Sequence, residues 1–331
     1  MNNSWLIHAP AGYGKWRSLR QAAAALLCES AEPQPADAAT SRLPRALTRM
    51  RACDRCASCT LIQAGTHPDF FVAAPQALWP ELGLVPPEDA AGTERGETKS
   101  ASPDIRIEQV RRLTDWAVST SHRGKAKVAL IYPADALNAA AANALLKTLE
   151  EPPPDVHFLL GAHRLDALLP TIRSRCQQAS MPRPDADMAR ALLGDAGSPD
   201  ATLAWCQGAV YQPDPAAGLQ WAAALIDAAE RTPSPLASSA LPPPPDFATG
   251  VAALFKIGSD LQRVQSQVPA LFLPQQQAPL TRLAGRISAV RLSDFGRRLL
   301  PLRRLAGFPL NQPLASDALL LEFAQLFAPG P

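Results

Sequence analysis

Apolar residues in the first half of the chain fall into short runs separated by stripes of helical period. Trp5-Leu6-Ile7, Phe70-Phe71-Val72, Val128 to Ile131 and Val156 to Leu160 read as buried strands. Between them, Trp16 to Leu27 reads as a helix, and Ile107, Val110, Leu113 and Trp116 recur at every third position, marking one buried helical stripe. Its start is expected at Ser102-Pro103-Asp104. An alanine-rich helix from Leu137 to Glu151 turns Ala141, Ala142, Leu145, Leu146 and Leu149 to the core and Lys147, Glu150 and Glu151 outward, and Pro152, Pro153 and Pro154 stop it. Strands that alternate with helices give an α/β core. After Pro182 the pattern becomes wholly helical. Two short helical patterns in 184–208 flank the turn Ala196-Gly197-Ser198-Pro199, and Leu219 to Ala229 forms another helix. Thr232 to Pro245 is a proline-rich spacer, and Phe247 to Phe327 holds amphipathic helices with Leu254, Ile257, Leu261 and Val264 on the apolar side.

The chain has 331 residues, enough for two or three domains that each bury a core. Hydrophobic residues make up 47% and aromatics only 6%, so alanine and leucine must do most of the packing. A formal charge of +2 excludes the broad basic field of a sequence-independent nucleic-acid binder and leaves room only for local or partner-mediated contact. No run approaches the roughly 18 apolar residues of a membrane span, and the start lacks the pattern of an export signal. The expectation is a cytoplasmic protein without membrane contact. Residues 79–103, rich in proline, glycine and mixed charge, read as a mobile surface insertion. Arg111, Arg112, Arg123, Lys125 and Lys127 read as a solvated face.

Two stretches carry candidate chemistry. His8-Ala9-Pro10-Ala11-Gly12-Tyr13-Gly14-Lys15 lies between a strand and a helix, the setting in which glycines turn backbone N–H groups toward a phosphate and a lysine adds charge. The pattern is incomplete. Ala9 replaces its first glycine, and Trp16 replaces the hydroxyl residue that would hold magnesium. Ser18 points about 200° away from that position on a helix. Gly12, Gly14 and Lys15 are thus either a weak nucleotide site or a turn that packs helix on sheet. In the second stretch, Cys53, Cys56 and Cys59 are spaced so that three thiolates can converge on one tetrahedral zinc, with Cys28 or His67 as the fourth ligand. Cys176 and Cys206 read as buried free thiols.

From Asn143 to Cys176 the wording NALLKTLEEPPPDVHFLL, followed by LLPTIRSRC, resembles the clamp-loader branch of the AAA+ ATPases, subunits of bacterial DNA polymerase III. The resemblance extends over most of residues 5 to 230. It implies a P-loop-type parallel sheet core with a zinc knuckle, a small helical lid and an all-α collar. The boundaries are 1–181 for the core, with the zinc module at 28–59 and the insertion at 79–103, 182–230 for the lid, 231–246 for the linker and 247–331 for the collar. It also implies Cys28 as the fourth thiolate beside Cys53, Cys56 and Cys59, making a closed, structural Zn2+ site. Relatives carry a helix ahead of the first strand. Only four residues precede Trp5 here, so that element is expected to be absent or to lie upstream.

In an ATP-hydrolysing relative, an Asp-Glu pair follows the strand that here runs Val128 to Ile131. Tyr132 and Pro133 stand in its place, and Asp135 comes two residues later. The expected function is therefore a non-hydrolysing clamp-loader subunit, with ATP only on its neighbours. Arg175 of the Ser174-Arg175-Cys176 turn would be the finger inserted into an adjacent subunit's ATP site, with a salt bridge that closes the strand's end as its alternative, and Arg173 a structural arginine in such a salt bridge. The implied partners are gamma or tau and delta subunits, and through the complex the sliding clamp and primer-template DNA. An ATP-hydrolysing gamma-like subunit is the first alternative, opposed by Trp16, Tyr132 and Pro133. A zinc-dependent DNA-binding module is the second, opposed by the low net charge.

Overall fold

Lys127–Ile131 is a strand (β5) buried at every position, as the unbroken apolar run Val128 to Ile131 predicts for the middle of a parallel sheet. The computed structural model describes residues 3–34, 42–84, 101–184, 187, 199–207, 209, 215–231, 241–305 and 310–327. They divide into two units, 1–183 and 184–331.

In the first unit the elements run β1 (Ser4–His8), α1 (Lys15–Leu27), β2 (Glu32–Pro33), α2 (Arg45–Thr48), β3 (Met50–Arg51), α3 (Ala57–Gln63), β4 (Phe70–Ala73), α4 (Trp79–Leu82), α5 (Ile107–Val118), β5, α6 (Ala139–Glu150), β6 (Val156–Ala162), α7 (Pro170–Arg173) and β7 (Gln177–Ser180). Five strands pair in parallel in the order β4-β5-β6-β1-β7, with Phe70 opposite Val128, Leu130 opposite Leu159, Leu6 opposite Leu160 and Trp5 opposite Gln177. Successive side chains leave opposite faces of a strand. Accordingly Leu6, Ala129, Ile131, Phe158 and Leu160 pack with α5 and α6, while Ile7, Val128, Leu130 and Leu159 pack with α1 on the other side. Gly161 allows the closest approach of these layers: a Cβ there would lie 2.7 Å from both Leu19 and Tyr132 side chains.

The predicted core strands and helices are present, with ends shifted by a few residues. Asn138 starts α6 by accepting the Ala141 N–H at 2.8 Å. The start of α5 differs from expectation. Ser102 and Asp104 bond to each other in a turn, and the helix begins at Ile107 without a side-chain cap. Residues 79–103 also differ. Their first turn is helical, Leu82 is buried, and Trp79 Nε1 donates to the Ala74 carbonyl, while 85–100 lie outside the described residues. The basic stretch after α5 is not one solvated face. Arg111 and Arg112 are exposed, but Lys127 is buried, its ammonium donating to the Trp116 and Ser119 carbonyls and lying 4.3 Å from the Trp116 ring centre. It adds a donor to carbonyls at the end of α5 and complements that end's negative pole.

The second unit is helical: Pro199–Cys206, Pro215–Arg231, Phe247–Gln265, Gln277–Ala284, Ala289–Leu305 and Gln312–Ala324. Helix 247–265 lies at its centre. Leu254, Ile257, Leu261 and Val264 are buried in a cluster that also contains Trp205, Trp221, Leu225, Leu283, Phe295 and Phe323. Asp246 caps this helix through the Thr249 N–H at 2.9 Å. The first pattern expected in 184–208, most of the turn after it, and the spacer at 232–240 lie outside the described residues. Among the described residues no helix is long and apolar enough to cross a membrane.

Candidate functional site

Cys28 follows the last residue of α1, and Cys56 precedes the first of α3. Between them the chain makes a long excursion that β2 and β3 close as an antiparallel pair, Glu32 opposite Arg51 and Pro33 opposite Met50. This ribbon, reinforced by the Arg51–Glu32 ion pair, returns Cys53 to Cys28. The Cys53 N–H donates to Cys28 Sγ at 3.3 Å and the Cys59 N–H to Cys56 Sγ at 3.5 Å, while Asp54 takes a left-handed φ of 57° in the turn. The four Sγ atoms of Cys28, Cys53, Cys56 and Cys59 lie within 4.8 Å of one another, and Cys28 and Cys56 are 3.8 Å apart. A tetrahedral zinc with metal–sulfur bonds of about 2.3 Å needs sulfurs about 3.8 Å apart. The donor set therefore fits a metal such as zinc.

Burial raises the Cys59 thiol to about 12, helped by its bonds to Cys56 and Cys28. At Cys56, burial works upward as well, but backbone N–H groups of Cys59 and Glu29 outweigh it and bring the thiol down to about 6. His67 stands outside the cluster, its Nδ1 accepting the Asp69 N–H at 3.0 Å. Cys176 and Cys206 are both buried and free, and neither belongs to the four-cysteine group.

The glycine loop between β1 and α1 has Gly12 at φ 76° and Gly14 at φ 78°, the left-handed conformation for which glycine is suited. Lys15 is wholly buried and turned back into this loop, where Nζ donates to the carbonyls of Ala9 at 2.6 Å and Pro10 at 2.7 Å. Burial pulls its ammonium down to about 8, against the pull of Asp135 and with the repulsion of Arg42. Trp16 and Tyr132 pack ring to ring at 5.6 Å, and His163 meets the Tyr132 ring edge-on at 5.4 Å. Asp135 accepts the His163 N–H at 2.7 Å. Ser18 lies elsewhere on α1, lining a cavity of about 310 Å³ with Leu43, Leu47 and Met50. Arg42, which sequence reasoning did not single out, donates to the Tyr13 carbonyl at 2.7 Å and the Pro182 carbonyl at 2.6 Å, joining the glycine loop to the end of β7. A lone arginine in a long insertion gives no signal of that role.

Arg175 follows α7 and is brought to the end of α6. Its Nη2 is 3.0 Å from Glu150 Oε2, Nη1 donates to the Thr171 carbonyl at 3.1 Å, and the side chain stays 28% exposed. The ion pair foreseen for Arg173 falls on Arg175 instead; among the described residues Arg173 has none, and its Nε is buried without a partner.

A family model described as "DNA polymerase III, delta subunit" matches residues 1–185. The DNA polymerase III subunit delta' of Pseudomonas aeruginosa is 39% identical over 184 residues, 56% of this chain and 44% of its own. The subunit delta' of Escherichia coli is 34% identical over 178 residues, 49% of this chain and 46% of its own. That of Yersinia pestis is 41% identical over 126 residues, 38% and 30% of the two chains. The chain spans less than half the length of these relatives. The matched stretch holds the sheet, the glycine loop, all four clustered cysteines and Arg175, and the chain belongs to the family of DNA polymerase III delta-prime subunits.

Proposed function

We infer that the chain is a clamp-loader subunit that hydrolyses no ATP of its own and acts on the ATP site of a neighbour. One observation carries the reading: the positions where magnesium and attacking water would be handled are filled by the packed rings of Trp16 and Tyr132. Magnesium needs oxygen ligands, and phosphoryl transfer needs that metal to neutralise charge. Indole and phenol rings in van der Waals contact provide no such carboxylates. Lys15 agrees with this, since two of its three N–H donors are already spent on carbonyls of its own loop and its head is turned back into that loop. Gly12, Gly14 and Lys15 then serve as a turn that packs α1 on the sheet, and ATP belongs to the adjoining gamma or tau subunits.

Arg175 is the residue that would act in trans. Glu150 holds it at the edge of the unit, but Glu150 is 60% exposed, and such a solvated pair contributes only about 0–1 kcal/mol. An approaching γ-phosphate offers a bidentate guanidinium partner of higher charge, so the exchange is inexpensive. In this reading the complex contains gamma or tau and delta subunits, and opens the sliding clamp on primer-template DNA. The four cysteines hold a structural zinc with no open coordination position, and free thiols suit a reducing cytoplasm.

The deciding measurement is DNA- and clamp-stimulated ATP hydrolysis by the reconstituted complex. Arg175→Ala should leave assembly intact and lower stimulated turnover by at least about 10-fold, a lower bound set beneath the about 10³ to 10⁵ that arginine fingers supply in GTPases. The isolated chain should show no turnover above background. Unchanged complex turnover removes the role of Arg175, and turnover by the chain alone, abolished in Lys15→Ala, removes the non-hydrolysing reading.

A further inference from the structure

The four-cysteine knuckle is joined to the core by side chains as well as by the backbone. Glu29, next to Cys28, accepts from Ser58 Oγ at 2.9 Å, and Ser58 lies between Cys56 and Cys59. The same carboxylate oxygen accepts from Arg123 Nη2 at 2.5 Å and Nε at 3.1 Å, and Arg123 belongs to the loop 119–126 between α5 and β5. Lys125, two residues on in that loop, donates Nζ to the Cys28 carbonyl. At its other side the loop is held by Asp69, 1% exposed, which accepts from Ser121 Oγ at 3.1 Å, the His122 N–H at 2.8 Å and the Arg123 N–H at 2.9 Å.

These bonds give the loop two anchors of different kinds. Asp69 belongs to the sheet side of the unit and is fixed by the fold. The other anchor is built on ligand-bearing backbone: Glu29 is in register with Ser58 only while the end of α1 and the start of α3 keep their separation. Four thiolates gathered on one cation would set that separation. A zinc tetrathiolate also carries a net charge of −2, which the ammonium of Lys125 offsets in part from outside the ligand set, while the guanidinium of Arg123 is balanced by Glu29. Outer-shell partners of this sort hold ligands in place and typically change metal affinity by 10- to 100-fold when removed.

We propose that Glu29, Arg123 and Lys125 are positioning residues for the metal thiolates, and that metal occupancy in turn orders the loop 119–126. The knuckle and the loop are then one coupled unit. The coupling rests on the reading of the cysteines as a zinc site. The test uses the full chain. Metal analysis gives its zinc content, amide hydrogen exchange is compared before and after zinc removal by chelation, and zinc transfer to a chromophoric chelator is timed. About one zinc per chain is expected. Its removal should speed exchange at residues 121–125 by about 10-fold or more and leave β5 and β6 protected. Glu29→Ala and Lys125→Met should transfer zinc about 10-fold faster. Glu29→Gln, which keeps an acceptor for Ser58 and Arg123, should fall between Glu29→Ala and the unsubstituted chain. A chain without zinc overturns the metal reading and the coupling together. One zinc per chain, with loop exchange unaltered by its removal and both variants transferring zinc at the unsubstituted rate, overturns the coupling alone. The exchange comparison needs no variant, so it stands even if a substituted chain misfolds.

Discussion

Lys15 shows how one residue can keep a motif's spelling and lose its use. Its ammonium is taken from water and given two backbone carbonyls, and burial lowers it from 10.5 to about 8. In the unfolded chain the same amine keeps its proton up to about 10.5. Between these values the unfolded state binds more protons than the folded one, so stability should rise with pH across that interval and gain nothing below it. Replacing Lys15 by Met removes this contribution. Denaturant midpoints for the two proteins from pH 7 to pH 10.5 should diverge above pH 8, the unsubstituted chain gaining relative to Lys15→Met. Parallel pH profiles would mean that Lys15 is solvated. The sequence showed the lysine's place in the loop and the missing partners at Trp16, Tyr132 and Pro133. It could not show the direction of the side chain, because the carbonyls that capture it belong to a turn whose path depends on two left-handed glycines.

At the scale of elements, apolar patterning was a dependable guide where burial is continuous and a poor one where a polar group does the fixing. The strand Lys127–Ile131 and the helix 247–265 follow directly from their runs and stripes. Ser102 and Asp104 have the composition of a helix start, yet they close a turn on each other, and nothing local distinguishes the two outcomes. Lys127 has the look of a solvated residue because the carbonyls it caps lie eight and eleven positions upstream. Asp260 is the same lesson in the helical unit. Wholly buried on helix 247–265, it accepts the N–H groups of Leu271, Phe272 and Leu273 at 2.7 to 3.2 Å and so anchors the strap before the next helix. Asp260→Asn loses one acceptor oxygen and turns an NH2 toward an N–H. It should destabilise the unit by about 2–4 kcal/mol, since hydrogen bonds to charged groups are worth about 1.5–3 kcal/mol each. Urea titration should show a lower midpoint with an unaltered slope; an unchanged midpoint would assign the strap's position to packing of Leu273 alone.

For the whole molecule, each unit encloses apolar clusters of its own: two flank the sheet in residues 1–183, and one fills the helical residues beyond. A domain that buries its own core can fold alone. Residues 1–183 expressed without the remainder should give a cooperative thermal transition and retain about one zinc; a fragment that is molten or metal-free would show that the sheet unit depends on the helical one. The identity of the metal ligands was legible at this scale only through family likeness, because 24 residues separate Cys28 from Cys53 and spacing alone left His67 as a candidate. The two-residue strands that close this excursion are too short to leave a pattern in sequence. They nevertheless close a loop that is pinned a second time inside itself. Arg42 bonds the Tyr13 and Pro182 carbonyls, and Leu43 and Leu47 are buried against α1, so a cut or a splice within 42–49 would be felt at the thiols and at the glycine loop together.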